Sequence, residues 1–119
     1  MSLPWVRLDS HYYANPKVLA LSTSGKHRAL HLYVCGLAYS GGTGTDGFIP
    51  KESLLLFGGK PSDAKDLVDG GLWTACPGGW EINGWHEYQP SSAEHEKRRA
   101  KAKEAAAKRW SAEQLKAVK

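Results

Sequence analysis

The stretch 46–83, DGFIPKESLLLFGGKPSDAKDLVDGGLWTACPGGWEIN, is punctuated so densely that few backbone paths remain open to it. Phe48 and Ile49 suit a strand of two or three residues. Gly58 and Gly59 end a first helix and supply a turn. Pro61 then sits at the first position of a second helix, where its missing N–H costs nothing. Gly70 and Gly71 stop that helix. LWTAC and GWEIN, joined by Pro77-Gly78-Gly79, have the composition and alternation of a β-hairpin. The order is therefore strand, helix, turn, helix, hairpin.

Within this frame, Pro50 opens the first helix, KESLLLF, and Leu54, Leu55 and Phe57 are expected to face the core. In the second helix Ser62 and Asp63 occupy the first turn, where the helix dipole favours acceptors and negative charge. Ala64, Leu67 and Val68 form its packed face. Upstream, Asn15 is a good N-cap and Pro16 fits the first helical position, so a short helix should bury Val18, Leu19 and Leu21 and end near Gly25. A longer helix follows from Lys26 to about Ser40. It carries Leu30, Tyr33, Val34 and Leu37 at helical spacing, with Leu32, Cys35 and Tyr39 on the other side, as a buried helix does. GGTGTDG reads as a flexible connector, and Met1 to Leu3 carry no motif and are set aside.

A longer helix followed by strand, helix, turn, helix and hairpin is the order of a winged helix-turn-helix. The fold class expected is mostly α with a small β-hairpin: a winged helix-turn-helix domain over 4–90 and a basic Ala/Lys/Arg-rich helical tail over 91–119. The 119 residues, 41% of them apolar, provide one compact core. No apolar run approaches the roughly 18 residues of a membrane span and no secretory signal is seen, so a soluble, cytoplasmic protein is expected. Cys35 and Cys76 are expected to remain reduced thiols.

Three motifs carry less than their letters suggest. Gly42 to Gly47 spells GxGxxG, but the dinucleotide fingerprint needs a strand before it and a helix after it, and here the order is reversed. His27, His31 and Cys35 recur every four residues on one helix, yet a zinc site needs convergent ligands from a further element; core and edge positions account for them better. No arrangement of Ser, His, Asp or paired carboxylates has a catalytic signature. The expectation is a non-enzymatic protein with no cofactor and no metal.

The charge pattern points to nucleic acid. Residues 1–90 hold seven Lys and Arg against eight Asp and Glu, net −1, whereas 91–119 hold nine against four, net +5. In a helix-turn-helix the second helix enters the major groove by its N-terminal part, which makes Lys60, Ser62 and Lys65 the candidate duplex contacts. Asp63, Asp66 and Asp69 share that helix and oppose phosphate, unless they face away from DNA or toward neighbouring helices; otherwise the module binds protein. In the tail, a capping box at Ser91 and Glu94 opens a helix, and EAAAK at 104–108 provides an i,i+4 Glu–Lys pair. At about 100° per residue, with Lys97 as zero, Lys101 and Lys108 fall near 40° and 20°, and Arg98 and Arg109 near 100° and 120°. These five make a phosphate-following stripe, with Arg99 and Lys103 off it, and Trp110 is left to dock on the body or a partner.

PWVRLDSHYYANPKVLALS, TDGFIP, AKDLVDGGLW and WHEYQPS followed by a basic run, in that order, resemble the winged-helix N-terminal domain of phage replication initiators, or replisome organisers, of the actinobacteriophage type. The resemblance covers residues 4 to about 110. It implies a protein that binds double-stranded origin DNA and helps to bring host or phage replication proteins to it. It puts the recognition-helix start on Lys60 to Lys65 and the post-wing basic helix on Lys97 to Arg109, including Arg98 and Arg99. Longer members carry a second domain for contacting a helicase or loader, whereas this sequence ends at Lys119. A winged-helix transcriptional regulator and a winged-helix protein-interaction module share the same fold.

Overall fold

A computed structural model of the chain describes residues 2–89, 97 and 100–109. The capping box at Ser91 and Glu94, and Arg98, Arg99 and Trp110, lie outside the described residues. The elements in chain order are α1 (Pro16–Thr23), α2 (His27–Thr43), β1 (Phe48–Pro50), α3 (Leu54–Phe57), α4 (Pro61–Asp69), β2 (Trp73–Cys76), β3 (Gly79–Ile82) and α5 (Trp85–Tyr88). Short 3-10 turns at Tyr12–Ala14 and Lys51–Ser53 precede α1 and α3. Residues 100–109 are helical.

The three strands form one antiparallel sheet in the order β1-β3-β2. Ile49 pairs with Trp80 on one side of β3, and Trp73 pairs with Ile82 on the other. The chain is mostly helical with a small sheet whose hairpin follows a pair of short helices, the architecture of a winged helix-turn-helix. Ile49, Leu67, Leu32 and Trp73 are its most deeply buried large side chains. Gly36, in the middle of α2, makes room for the indole: a Cβ there would lie 2.9 Å from Trp73 Cζ2.

The helix starts follow the expected caps. The Asn15 side chain accepts from the Lys17 N–H at 2.9 Å, with Pro16 at the first helical position. Pro61 opens α4 in the same way.

Several expectations are corrected by packing. Pro50 ends β1 instead of opening a helix, and a 3-10 turn stands between it and α3. Three consecutive leucines span about 200° of a helix, more than one core-facing side, so Leu54 is buried while Leu55 and Leu56 are 88% and 75% exposed. Phe57 is half-buried and meets Tyr39 edge-on at 5.4 Å. Val18, Leu21 and Leu37 are buried as expected, but Leu19 and Val34 are exposed, and Ala29 and Leu32 complete the inner face of α2.

The largest correction concerns 41–47. Instead of a loose connector, α2 continues through Thr43 and is closed by Gly44 in the left-handed region. Gly41 is required by a close approach, because a Cβ there would collide with Val6 Cγ1, and its carbonyl accepts from the Leu3 N–H at 2.7 Å. Leu3 belongs to the core. Ser40, fully buried, ties down the rest: its Oγ accepts from the Gly47 N–H at 2.6 Å and lies 2.7 Å from Thr45 Oγ1, which donates to the Phe48 carbonyl. β1 is thereby delivered to the sheet in a fixed position.

Candidate nucleic-acid interface

The helix pair is built so that α4 keeps its acids and its bases apart. Ala64 and Leu67 are fully buried and seat α4 against α2, which puts Asp63 beside them on the inner side. The Asp63 carboxylate accepts from the Lys60 N–H at 3.0 Å, and the Asp63 N–H donates back to the Lys60 carbonyl, closing the start of the helix. Arg28, in the first turn of α2, places its Nε 3.6 Å from Asp63 Oδ2 and donates from Nη2 to the Gly58 carbonyl at 3.4 Å. Lys26, at the N-cap of α2, lies 3.8 Å from Asp66. Two of the three acids are therefore committed to α2.

The outward surface of α4 carries what remains: Ser62, Lys65 and Asp69, all exposed, with Lys60 exposed just before them. Residues three and four apart share a helix face, so Ser62, Lys65 and Asp69 form one strip. The candidate contacts Ser62 and Lys65 thus share one strip, with Asp69 at its far end, while Lys60 is exposed at the N-cap ahead of it.

The hairpin turn contains no Lys or Arg, but the fold supplies one. The Lys51 N–H donates to the Gly78 carbonyl at 3.0 Å, and Lys51 is exposed, so a cation from the end of β1 stands beside the turn. Gly79 allows this: a Cβ there would collide with the Ile49 carbonyl oxygen. Sequence reasoning missed Lys51, Lys26 and Arg28. Only the Pro50–Gly79 pairing of the sheet and the crossing of α2 with α4 reveal their positions. Cys76, at the end of β2, has its thiol held above the ordinary value by desolvation and then by the nearby Glu81 carboxylate.

In the tail, Lys97, Lys101, Lys108 and Arg109 are helical and exposed. Lys108 Nζ lies 4.0 Å from Glu104 Oε1, both side chains well exposed. Glu104 falls at about 340° on the helical wheel, so the stripe carries an acid along its edge, in a pairing too exposed to hold Lys108 firmly.

On α2, His31 Nε2 lies 3.4 Å from Cys35 Sγ, and His27 lines the neighbouring groove with Phe57 and Gly59. Among the described residues no group of three His, Cys, Asp or Glu side chains is arranged to hold a metal ion, and no helix is long and apolar enough to cross a membrane.

The fold is mostly helical with a small sheet, in the winged helix-turn-helix arrangement, and residues 100–109 add a basic helix. No protein-family model, curated protein or solved structure matches the chain.

Proposed function

We propose that this is a phage or prophage DNA-binding protein that uses its winged helix on double-stranded DNA during replication initiation, in the bacterial host cytoplasm. The observation that carries the reading is the division of charge on α4: Asp63 and Asp66 pair with residues at the start of α2, while Ser62 and Lys65 stay exposed on the open strip and Lys60 is exposed at the N-cap. In this reading the open side meets base edges and phosphates, Lys51 beside the hairpin turn adds a flanking phosphate contact, and the tail cations Lys97, Arg98, Lys101, Lys108 and Arg109 supply much of the attraction. The replication role comes from the resemblance of the sequence motifs to phage initiators; a transcriptional regulator would use the same surface.

Selection of bound sequences from a random duplex pool tests the proposal. Enrichment of one motif, changed by Lys65→Ala, supports base reading by α4; recovery of an unenriched pool contradicts it. A protein-interaction module is favoured by one observation, the two adjacent exposed leucines Leu55 and Leu56 on α3. Capture of a replication or transcription protein from nuclease-treated host lysate, abolished by Leu55→Ser with Leu56→Ser, distinguishes that reading.

A further inference from the structure

A second concave surface lies away from the α4 strip, at the foot of the hairpin. It is a cavity of about 330 Å³ bordered by Tyr12, Tyr33, Tyr88 and Trp85, with Leu72 and Ile82 at the opposite end of β2 and β3 from the Pro77-Gly78 turn. Tyr12 and Tyr33 lie nearly parallel, their ring centres 6.2 Å apart and their planes within 10°. Tyr12, Tyr33 and Tyr88 all line this one cavity, and burial, followed by the neighbouring phenols of Tyr12 and Tyr88, raises the Tyr33 hydroxyl above its ordinary value.

The wall formed by the N-terminal segment is pinned. The buried Gln89 accepts from the Arg7 N–H at 2.8 Å and donates to the Arg7 carbonyl at 2.7 Å, so the side chain pairs with that backbone as a strand would. The cations at the opening are tethered as well: Arg7 Nη1 donates to the Tyr88 carbonyl at 3.5 Å and Lys17 Nζ to the Gly71 carbonyl at 3.3 Å. Asp9 and Glu87 also border the cavity, so two positive and two negative side chains balance.

We propose that this cavity holds one unstacked base of a single-stranded nucleic acid. The inference rests on the nucleic-acid reading above but uses a different surface. Its volume is at the low end for ligand sites, about 300 Å³ and upward, enough for one nucleoside and too small for a duplex. Aromatic faces stack on any base, and the phenols can meet its polar edge. The balanced charge at the opening suits a neutral base and gives a free anion or an acidic peptide no advantage.

The test compares the full chain with Tyr88→Ala and Tyr88→Trp. Tyr88 is 58% exposed, so its replacement leaves the core intact. Binding of a labelled oligothymidine of about 12 nucleotides and of a duplex of about the same length is read by anisotropy near 0.3 M salt, where the tail's attraction is screened. Tyr88→Ala is expected to weaken oligothymidine binding about tenfold and leave duplex binding within about twofold, and Tyr88→Trp to retain both. Absence of oligothymidine binding by the wild-type chain, equal binding by wild type and Tyr88→Ala, or equal loss on both nucleic acids overturns the proposal. Absence of duplex binding at about 50 mM salt, with Tyr88-dependent oligothymidine binding intact, supports the proposal and sinks the duplex reading instead.

Discussion

Arg28 Nε lies 3.6 Å from Asp63 Oδ2, and this pairing across α2 and α4 turns an acid away from the helix surface that would otherwise repel phosphate. Its worth lies in direction more than in stability. Arg28 is 61% exposed, and exposed pairs add little to folding. The carboxylate's firmer task is to accept the Lys60 N–H at the start of α4.

The three acids of α4 should consequently behave differently. Asp69→Asn removes the one acid on the open strip and is expected to tighten duplex binding about threefold at low salt. Asp63→Ala should instead destabilise the fold by about 1 kcal/mol, through the lost cap. Fluorescence anisotropy for the first and urea unfolding for the second check this; equal tightening by both variants would contradict the assigned orientations.

Lys51 is exposed beside the hairpin turn and donates to it through its backbone N–H. Lys51→Ala should therefore leave stability nearly unchanged, weaken binding to all duplexes alike, and reduce the salt dependence by about one phosphate. Titrations of two unrelated duplexes at several salt concentrations measure it, and a change in sequence preference would show that Lys51 does not act on the backbone.

Ser40 holds the end of α2 to β1 from a fully buried position. Ser40→Ala leaves the Gly47 N–H without its acceptor and should cost about 1–3 kcal/mol. Urea unfolding should show a lower midpoint with an unchanged slope.

The raised Tyr33 hydroxyl links stability to alkaline pH. The unfolded chain loses that proton first, near the ordinary value of 10.0, so the stabilising contribution is complete below that pH and is lost as pH rises toward the folded value. Thermal melts of Tyr33→Phe between about pH 9 and 11 should fall less steeply than those of the wild-type chain; parallel curves would exclude Tyr33 as the cause.

The element order was legible because it is written in residues with local rules: Asn15 and Pro16, Pro61, the paired glycines, and the Pro77-Gly78 turn. What escaped depends on distant partners. Gly41 reads as a helix breaker, yet it is the only residue type that lets Val6 pack against α2. Leu55 and Leu54 are identical in sequence terms, and only the seating of a four-residue helix decides which is buried. For the candidate site, Lys60, Ser62 and Lys65 follow from their place at the start of a helix. The inward turn of Asp63 and Asp66, and Lys51 beside the hairpin turn, exist only once α2 crosses α4 and β1 pairs with β3.

The salt dependence of duplex binding by the whole chain tests the central claim most directly. If the five stripe cations meet phosphates, log K should fall against log [salt] with a slope of about −4.5, before any share from Lys51, Lys60 or Lys65. A flat slope, or no duplex binding at about 50 mM salt, would contradict the account.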